Sequence, residues 1–314
     1  MENINLSTNI GGQFLENPLM NAAGSLCTTE THLLNLNNSN SGALITKSIT
    51  LEERCGNEHP KYFHNDFGSI NSNGLENLGI NEYLKISKNK WNKPLFFSVS
   101  GMTLDDNVKI LQKINELSSK SIVELNLSCP NVIGKPQVGY SIDDMDNYIE
   151  KCSETFNGIL GLKLPPYFDI IHFEQVASVI NKYKSKIKFI TCCNSLGNGL
   201  IVDTEKESTV IYPKDGLGGI GGNYIKATSL ANVYKFKKLL PNIDVIGCGG
   251  ISTGEDAFQY LLCGASALQI GTQLMKENIS CFDRILKELK EIMKRKNYKN
   301  ITDFKNKLKV IDKQ

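Results

Sequence analysis

The stretch Val123–Gln137, VELNLSCPNVIGKPQ, places a thiol in an unusual position. A structural cysteine normally lies inside an apolar run, but Cys129 comes where the alternating run ends, after Asn126 and Ser128 and directly before Pro130 and Asn131. The end of a strand is where α/β proteins put their chemistry. The loop beyond is stiffened by Pro130 and Pro136 and loosened by Gly134, a composition suited to a lid with rigid pieces and hinges.

The pattern recurs along the chain. Short apolar segments start at Leu19 (LMNAAGS), Ala43 (ALITKS), Leu95 (LFFSVSG), Val123 (VELNLSC), Ile159 (ILGLKLP), Lys188 (KFITCCNS), Asp244 (DVIGCGG) and Ala267 (ALQIGT). Each runs into Gly, Ser, Asn, Lys or a thiol. The residues at these ends are Lys47 and Ser48, Ser100, Asn126 with Cys129, Lys163, Asn194 and Ser195, Gly249 and Gly250, and Gly271 and Thr272. Gathered around one mouth, two lysines, several amides and a thiol suit an anionic or carbonyl-rich ligand. The glycines of the last two ends either serve tight turns or let backbone N–H groups approach a cofactor phosphate, and the phosphate is the favoured reading. The run GLGGIG, Gly216–Gly221, matches a dinucleotide-binding pattern. It follows YPKD rather than a strand, so it reads as a loop forming a glycine-rich wall near the phosphate.

Such ends need elements to position them. Helical spacing of apolar residues appears over Asp105–Leu117, Asp143–Phe156, Phe173–Tyr183, Leu230–Leu240, Gly254–Cys263 and Cys281–Lys294. Eight strands alternating with helices predict an α/β fold, a (β/α)8 TIM barrel, with a doubly wound open sheet as the alternative. Two long excursions are expected to build the pocket as inserted loops at the C-terminal face of the strands. One is LEERCGNEHPKYFHNDFGSINSNGLEN from Leu51, and the other is LIVDTEKESTVIYPKDGLGGIGG from Leu200. The Asn-rich LNLNNSNSG after Leu34 reads as a solvent loop. With no internal repeat and no linker, residues 1–314 are expected to form a single domain.

Composition narrows the function. The 314 residues are 40% hydrophobic and 22% charged with a formal net charge of +2, ordinary for a globular protein and without the basic excess of a nucleic-acid binder. The opening MENINLSTNIGG is polar, and no apolar run is long enough to span a bilayer, so a cytoplasmic protein without a membrane partner is expected. Nine cysteines, an odd count without a CxxC pair, and four histidines distant from them argue against zinc or a redox dithiol. Most of the thiols read as small core hydrophobes, Cys192 and Cys193 among them.

The motifs NAAG, LITKS, GSINSNGLEN, ELNLSCPNVIGKPQ, GLKLPPYFD, NSLGNGL, KDGLGGIGG, GCGGI and LQIGTQL occur in this order from Asn21 to Leu274. Together they resemble the class 1A dihydroorotate dehydrogenases, the soluble FMN enzymes of pyrimidine synthesis. Class 2 members carry a membrane-associating extension and use serine as base, whereas Cys129 stands here. The resemblance implies an FMN phosphate at Gly249, Gly250, Gly271 and Thr272, with Gly221 and Gly222 beside it. It puts Ala22, Ala23, Gly24, Lys47, Ser48, Asn126, Lys163 and Ser195 around the rest of the flavin. For orotate it implies Lys47, Asn71, Gly74, Leu75, Asn126, Asn131, Asn194 and Ser195.

In that reading Cys129 is the base for the C5 proton while hydride leaves C6 for the flavin. An ordinary thiol pKa near ~8.5 needs only modest tuning for this work. Fumarate as oxidant and a homodimer are carried by the resemblance alone.

The chain departs from the family pattern in places. Asn73 stands where methionine is typical, with its contact expected through the backbone. Lys61 stands at an arginine position, replacing a two-pronged donor by a point charge. Gly139 and Ser141 alter the lid motif away from the chemistry. Other readings are a class 1B catalytic subunit that passes electrons to a partner and a relative of dihydropyrimidine dehydrogenase. More distant are a flavin-free barrel with a Schiff-base Lys47 or Lys163, and a non-catalytic flavin-binding or scaffold protein.

Overall fold

The computed structural model describes residues 4–132, 134 and 137–311. Lys135 and Pro136 of the expected lid lie outside the described residues. Eight parallel strands form one sheet: Leu19–Asn21, Leu44–Ile45, Leu95–Val99, Ile122–Asn126, Ile159–Leu164, Ile187–Cys192, Asp244–Cys248 and Ala267–Ile270. They are referred to below as barrel strands one to eight. Strand one pairs with strand eight, and the order runs back through seven, six, five, four and three to two. A parallel bridge between Met20 and Ala43 joins strands one and two and closes the barrel. Where the ladder is thin, the Asn21 amide donates to the Ile45 carbonyl at 2.8 Å and accepts from the Ile45 N–H at 2.9 Å. All eight expected strands form, and ring closure rules out the open sheet.

Alternation along each strand sorts residues between two cores. In strand four Val123 and Leu125 pack outward under the helices, while Ile122 joins Met20, Ile45, Phe96, Phe189 and Ile246 inside the barrel. The Phe96 and Phe189 rings meet edge-on, centroids 5.8 Å apart. Gly161 makes room for them, since a Cβ there would lie 2.3 Å from the Phe189 ring. An antiparallel hairpin, Thr8–Ile10 with Gln13–Leu15, caps the lower end and adds Ile10 and Leu15 to the interior cluster. Burying each such large side chain contributes about 1.5–3 kcal/mol.

The six expected helices form within a few residues of their expected bounds. Leu104–Asn115 and Gly254–Leu262 both open on capping boxes, in which Thr103 and Thr253 exchange hydrogen bonds with Asp106 and Asp256. Ser141 caps Ile142–Thr155. Among the described residues, no helix is long and apolar enough to cross a membrane.

Two expectations are corrected. The first five residues of the Asn-rich segment, Leu34–Asn38, are the second half of a helix, Glu30–Asn38, rather than a solvent loop, and only the four residues after it lie outside regular structure. Thr29 caps the helix start, Leu33 and Leu36, three residues apart, are fully buried, and the buried Asn37 accepts from the Asn92 N–H at 2.9 Å, while Asn35 and Asn38 face outward. The run Gly216–Gly221 is not a loop either. Gly218–Gly222 is a strand in a second, four-stranded antiparallel sheet whose order is Leu196–Gly199, Gly218–Gly222, Gly68–Asn71 and Tyr62–His64. The two excursions therefore pair with each other, Gly219 opposite Asn71 and Gly221 opposite Ser69. Glycine is required by that close approach: a Cβ at Gly222 would lie 2.5 Å from the Gly68 Cα.

Candidate active site

Parallel strands bring all their C-terminal ends to one rim, and there the barrel and the side sheet enclose a cavity of about 440 Å3. It is lined by every residue assigned to the site above. On one side stand Ala22, Ala23, Gly24, Lys47, Ser48, Asn126 and Lys163. Asn71, Gly74, Leu75, Cys129, Asn131, Asn194 and Ser195 form another wall, and Gly221, Gly222, Gly249, Gly250, Gly271 and Thr272 close the far end.

The amides form two hydrogen-bonded groups. Asn194 donates through Nδ2 to Asn126 Oδ1 at 3.2 Å and to the Ser128 carbonyl at 2.9 Å. Its own oxygen accepts from the Ser195 N–H at 2.8 Å. Asn126 donates to Ser48 Oγ at 3.3 Å, and Ser48 meets Ser98 Oγ at 2.9 Å. Across the cavity Asn131 donates to Asn71 Oδ1 at 2.9 Å, and Asn71 donates to the Gly219 carbonyl at 3.1 Å. The Asn131 Oδ1 is buried without a partner among the described residues.

Cys129 is half-buried in the loop after strand four and faces this cavity. Val138–Tyr140 anchors the far end of that loop, where the Gly139 N–H donates to the Leu127 carbonyl at 2.8 Å. The Tyr167 hydroxyl also donates to the Gly139 carbonyl. Gly139 fits because a Cβ there would lie 2.5 Å from Pro165.

At the far end Gly249 and Gly250 have φ of +138° and +68°. A Cβ at Gly250 would lie 2.7 Å from the Lys226 Cβ and 2.8 Å from the Gly222 carbonyl oxygen. This glycine cradle, with Thr272 bound to Ser69 Oγ at 2.8 Å, fits a phosphate held by backbone donors. The donor set as a whole fits a phosphorylated, carbonyl-rich ring cofactor stacked beside a planar polar substrate.

Two lysines reach the cavity from below. Lys47 is 7% exposed, and Lys163 is 3% exposed. Lys163 donates to Gln269 Oε1 at 2.9 Å and lies 3.9 Å from Cys248 Sγ. Burial pushes the Cys27 and Cys248 thiols up, against the pull of the neighbouring lysines.

Of the departures noted in the sequence, Lys61 lines the cavity and pairs with Glu76 at 2.6 Å, while the Asn73 carbonyl accepts from the Asn57 N–H at 3.0 Å. Sequence reasoning passed over Ser69, Cys193, Cys248, Glu124 and Gln269. Period-two alternation was the available signal for three of them: Ser69 shares a strand face with Asn71, Glu124 with Asn126, and Gln269 with Gly271.

Known proteins resemble this chain over nearly its whole length. The family profile described as dihydroorotate dehydrogenase matches residues 5–293. A dihydroorotate dehydrogenase (fumarate) of Kluyveromyces lactis is 51% identical over 306 residues, covering 96% of each chain. Dihydroorotate dehydrogenase A (fumarate) of Lactococcus lactis is 50% identical, covering 97% of this chain and 99% of its own. The Trypanosoma brucei brucei dihydroorotate dehydrogenase (fumarate) is 48% identical, covering 98% of this chain and 100% of its own. A ligand-free DHODH structure from Eimeria tenella superposes with a TM-score of 0.79 at 20% identity, covering 96% of this chain and 91% of its own, a likeness of fold.

Proposed function

Since this chain belongs to the dihydroorotate dehydrogenase family, in its class 1A, fumarate-type branch, we propose that it oxidises (S)-dihydroorotate to orotate in de novo pyrimidine biosynthesis, with fumarate reduced to succinate. The observation that carries the reading is convergence in one cavity. The Cys129 thiol, the amides of Asn71, Asn126, Asn131 and Asn194, and Lys47 all line it, and the glycine cradle closes its far end.

The assigned cofactor is FMN, its phosphate in the cradle of Gly249, Gly250, Gly271 and Thr272. The chemistry the flavin would supply there is two-electron transfer, as acceptor of the dihydroorotate C6 hydride and donor to fumarate. The chain's own residues do the rest. Cys129 removes the C5 proton, general-base work that contributes about 10²–10⁴ in rate. Asparagines donate and accept at once, so they match a ring that alternates carbonyl and N–H groups. Lys47 is the charge partner for the substrate carboxylate. The loop carrying Cys129 excludes water when substrate is seated. We place residues 1–314 in one catalytic domain, acting in the cytoplasm as a homodimer. Exposed Phe168, Ile170 and Ile171 offer apolar surface for such an interface.

The test is anaerobic. Dihydroorotate is added to the purified protein, flavin absorbance is followed, and fumarate or NAD is added next. Bleaching reversed by fumarate is the expected result. Bleaching that fumarate leaves unreversed points to a partner-dependent, class 1B-type subunit, and a bound flavin that never bleaches removes dihydroorotate as substrate.

A further inference from the structure

Inside the barrel, one layer below the cavity, lies a carboxylate with no part in the reaction described so far. Glu124 is 0% exposed. It occupies the inward file of strand four, between Ile122 beneath it and Asn126 at the rim. Its Oε2 accepts from Thr191 Oγ1 and from Gln269 Nε2, both at 2.6 Å. Both distances are at the short end for hydrogen bonds to a side-chain oxygen, and the Glu124 Oε1 is buried without a partner among the described residues. The Gln269 amide then reaches the other way, accepting from Lys163 Nζ at 2.9 Å. Its orientation is forced: an ammonium offers only donors and a carboxylate only acceptors, so the amide must turn its oxygen to Lys163 and its nitrogen to Glu124.

This chain of contacts solves a problem for Lys163. Burial works against its charge, while Cys248 and Glu124 work for it, and the net direction for the ammonium is up. The other groups that bear on Lys163 are Cys27 and Cys193. Burial holds the Cys248 and Cys27 thiols up, so at neutral pH they are protonated and bring no charge. The carboxylate in this set is Glu124.

We propose that Glu124 is a positioning residue: acting through Gln269, it holds Lys163 as an oriented cation at the floor of the cavity and would thereby set how readily a flavin bound in that cavity is reduced. The second half rests on the proposed FMN site; the first does not. An oriented cation under the electron-accepting ring favours the reduced, more negative form. Losing Glu124 or its link through Gln269 releases Lys163 from that orientation and weakens its hold on its proton, so the cation is no longer fixed at the cavity floor. A carboxylate acting merely through space has the opposite sign, because its removal favours reduction.

The sign makes the test decisive. The variants are Glu124→Gln, close in shape, and Gln269→Leu, which leaves both charged groups and cuts the link. Lysine nitrogen NMR on the proteins as purified follows the Lys163 ammonium against pH, whether or not flavin is bound. Both variants are expected to release that proton at least tenfold more readily than wild type. Flavin potential, measured by dye-linked reduction without dihydroorotate, is expected to fall by about 30 mV, a tenfold change for a two-electron couple. An unmoved Lys163 titration overturns the relay. A shifted titration with an unchanged or raised potential overturns its action on the flavin. Should Glu124→Gln fail to fold, Gln269→Leu carries both measurements.

Discussion

Asn131 Nδ2 donates to Asn71 Oδ1 at 2.9 Å, tying the loop that carries Cys129 to the side sheet that roofs the cavity. The bond orients the Asn131 amide, whose Oδ1 is buried without a partner among the described residues. Asn131→Ala removes both the tie and the acceptor. A lost hydrogen bond of about 1–1.5 kcal/mol lowers kcat/KM for dihydroorotate roughly tenfold. Flavin content stays at the wild-type level. Steady-state kinetics beside a flavin-to-protein ratio checks both.

Cys129 lines the same cavity, and its replacement separates binding from proton removal. Cys129→Ser and Cys129→Ala retain flavin and bind orotate, yet turnover at neutral pH falls by about 10²–10⁴. The serine variant recovers part of its rate as pH rises, because its hydroxyl is the weaker acid. A pH–rate profile of the three proteins is the measurement, and an alanine variant with wild-type turnover removes the thiol from the mechanism.

Gly250, at φ +68°, is a position where a side chain has neither the backbone conformation nor the space. Gly250→Ala brings a Cβ against Lys226 and the Gly222 carbonyl, pushing apart the two walls of the cradle. The expected outcome is a protein purified with little flavin and destabilised by about 1–3 kcal/mol. Absorbance at the flavin bands and a denaturant melt report the two effects separately.

Acid sensitivity is expected beside the cradle. Desolvation raises the Asp256 carboxyl, but hydrogen bonds from Lys226 and Ser252 outweigh it and hold the group below its ordinary value of 3.8. A carboxylate depressed in the folded state adds stability above its unfolded pKa, and that stability is lost as pH falls through the folded value. Asp256→Asn is therefore less stable than wild type at neutral pH, and the gap narrows below about pH 4. Unfolding midpoints between neutral and strongly acidic pH test this, and a gap independent of pH refutes it.

Much of the barrel is legible in the chain itself. Each of the eight strands is a short apolar run that stops at a polar residue or glycine, a local signal set by period-two alternation and burial. Cys129, Lys47 and Lys163 stand out because they end such runs. The Glu30–Asn38 helix is harder to see, because its asparagines mask the Leu33 and Leu36 stripe and its cap is a single Thr29. The glycines of Gly218–Gly222 hide a strand, since they lack the branched side chains by which strands are recognised.

By itself, then, the sequence determined the alternating strands and helices, the rim on which they set lysines, amides and a thiol, and the family motifs that carry the chemistry. Only the tertiary structure decided that two excursions pair as one sheet, that Asn71 is bonded to Gly219 and Asn131, and that Gln269 joins Glu124 to Lys163. The partners in these contacts are 60 to 154 residues apart along the chain, from Asn71 and Asn131 to Gly68 and Gly222. Periodicity is a property of neighbours on one element, whereas these bonds exist because barrel closure brings separate strands to one rim, where buried polar groups must find one another.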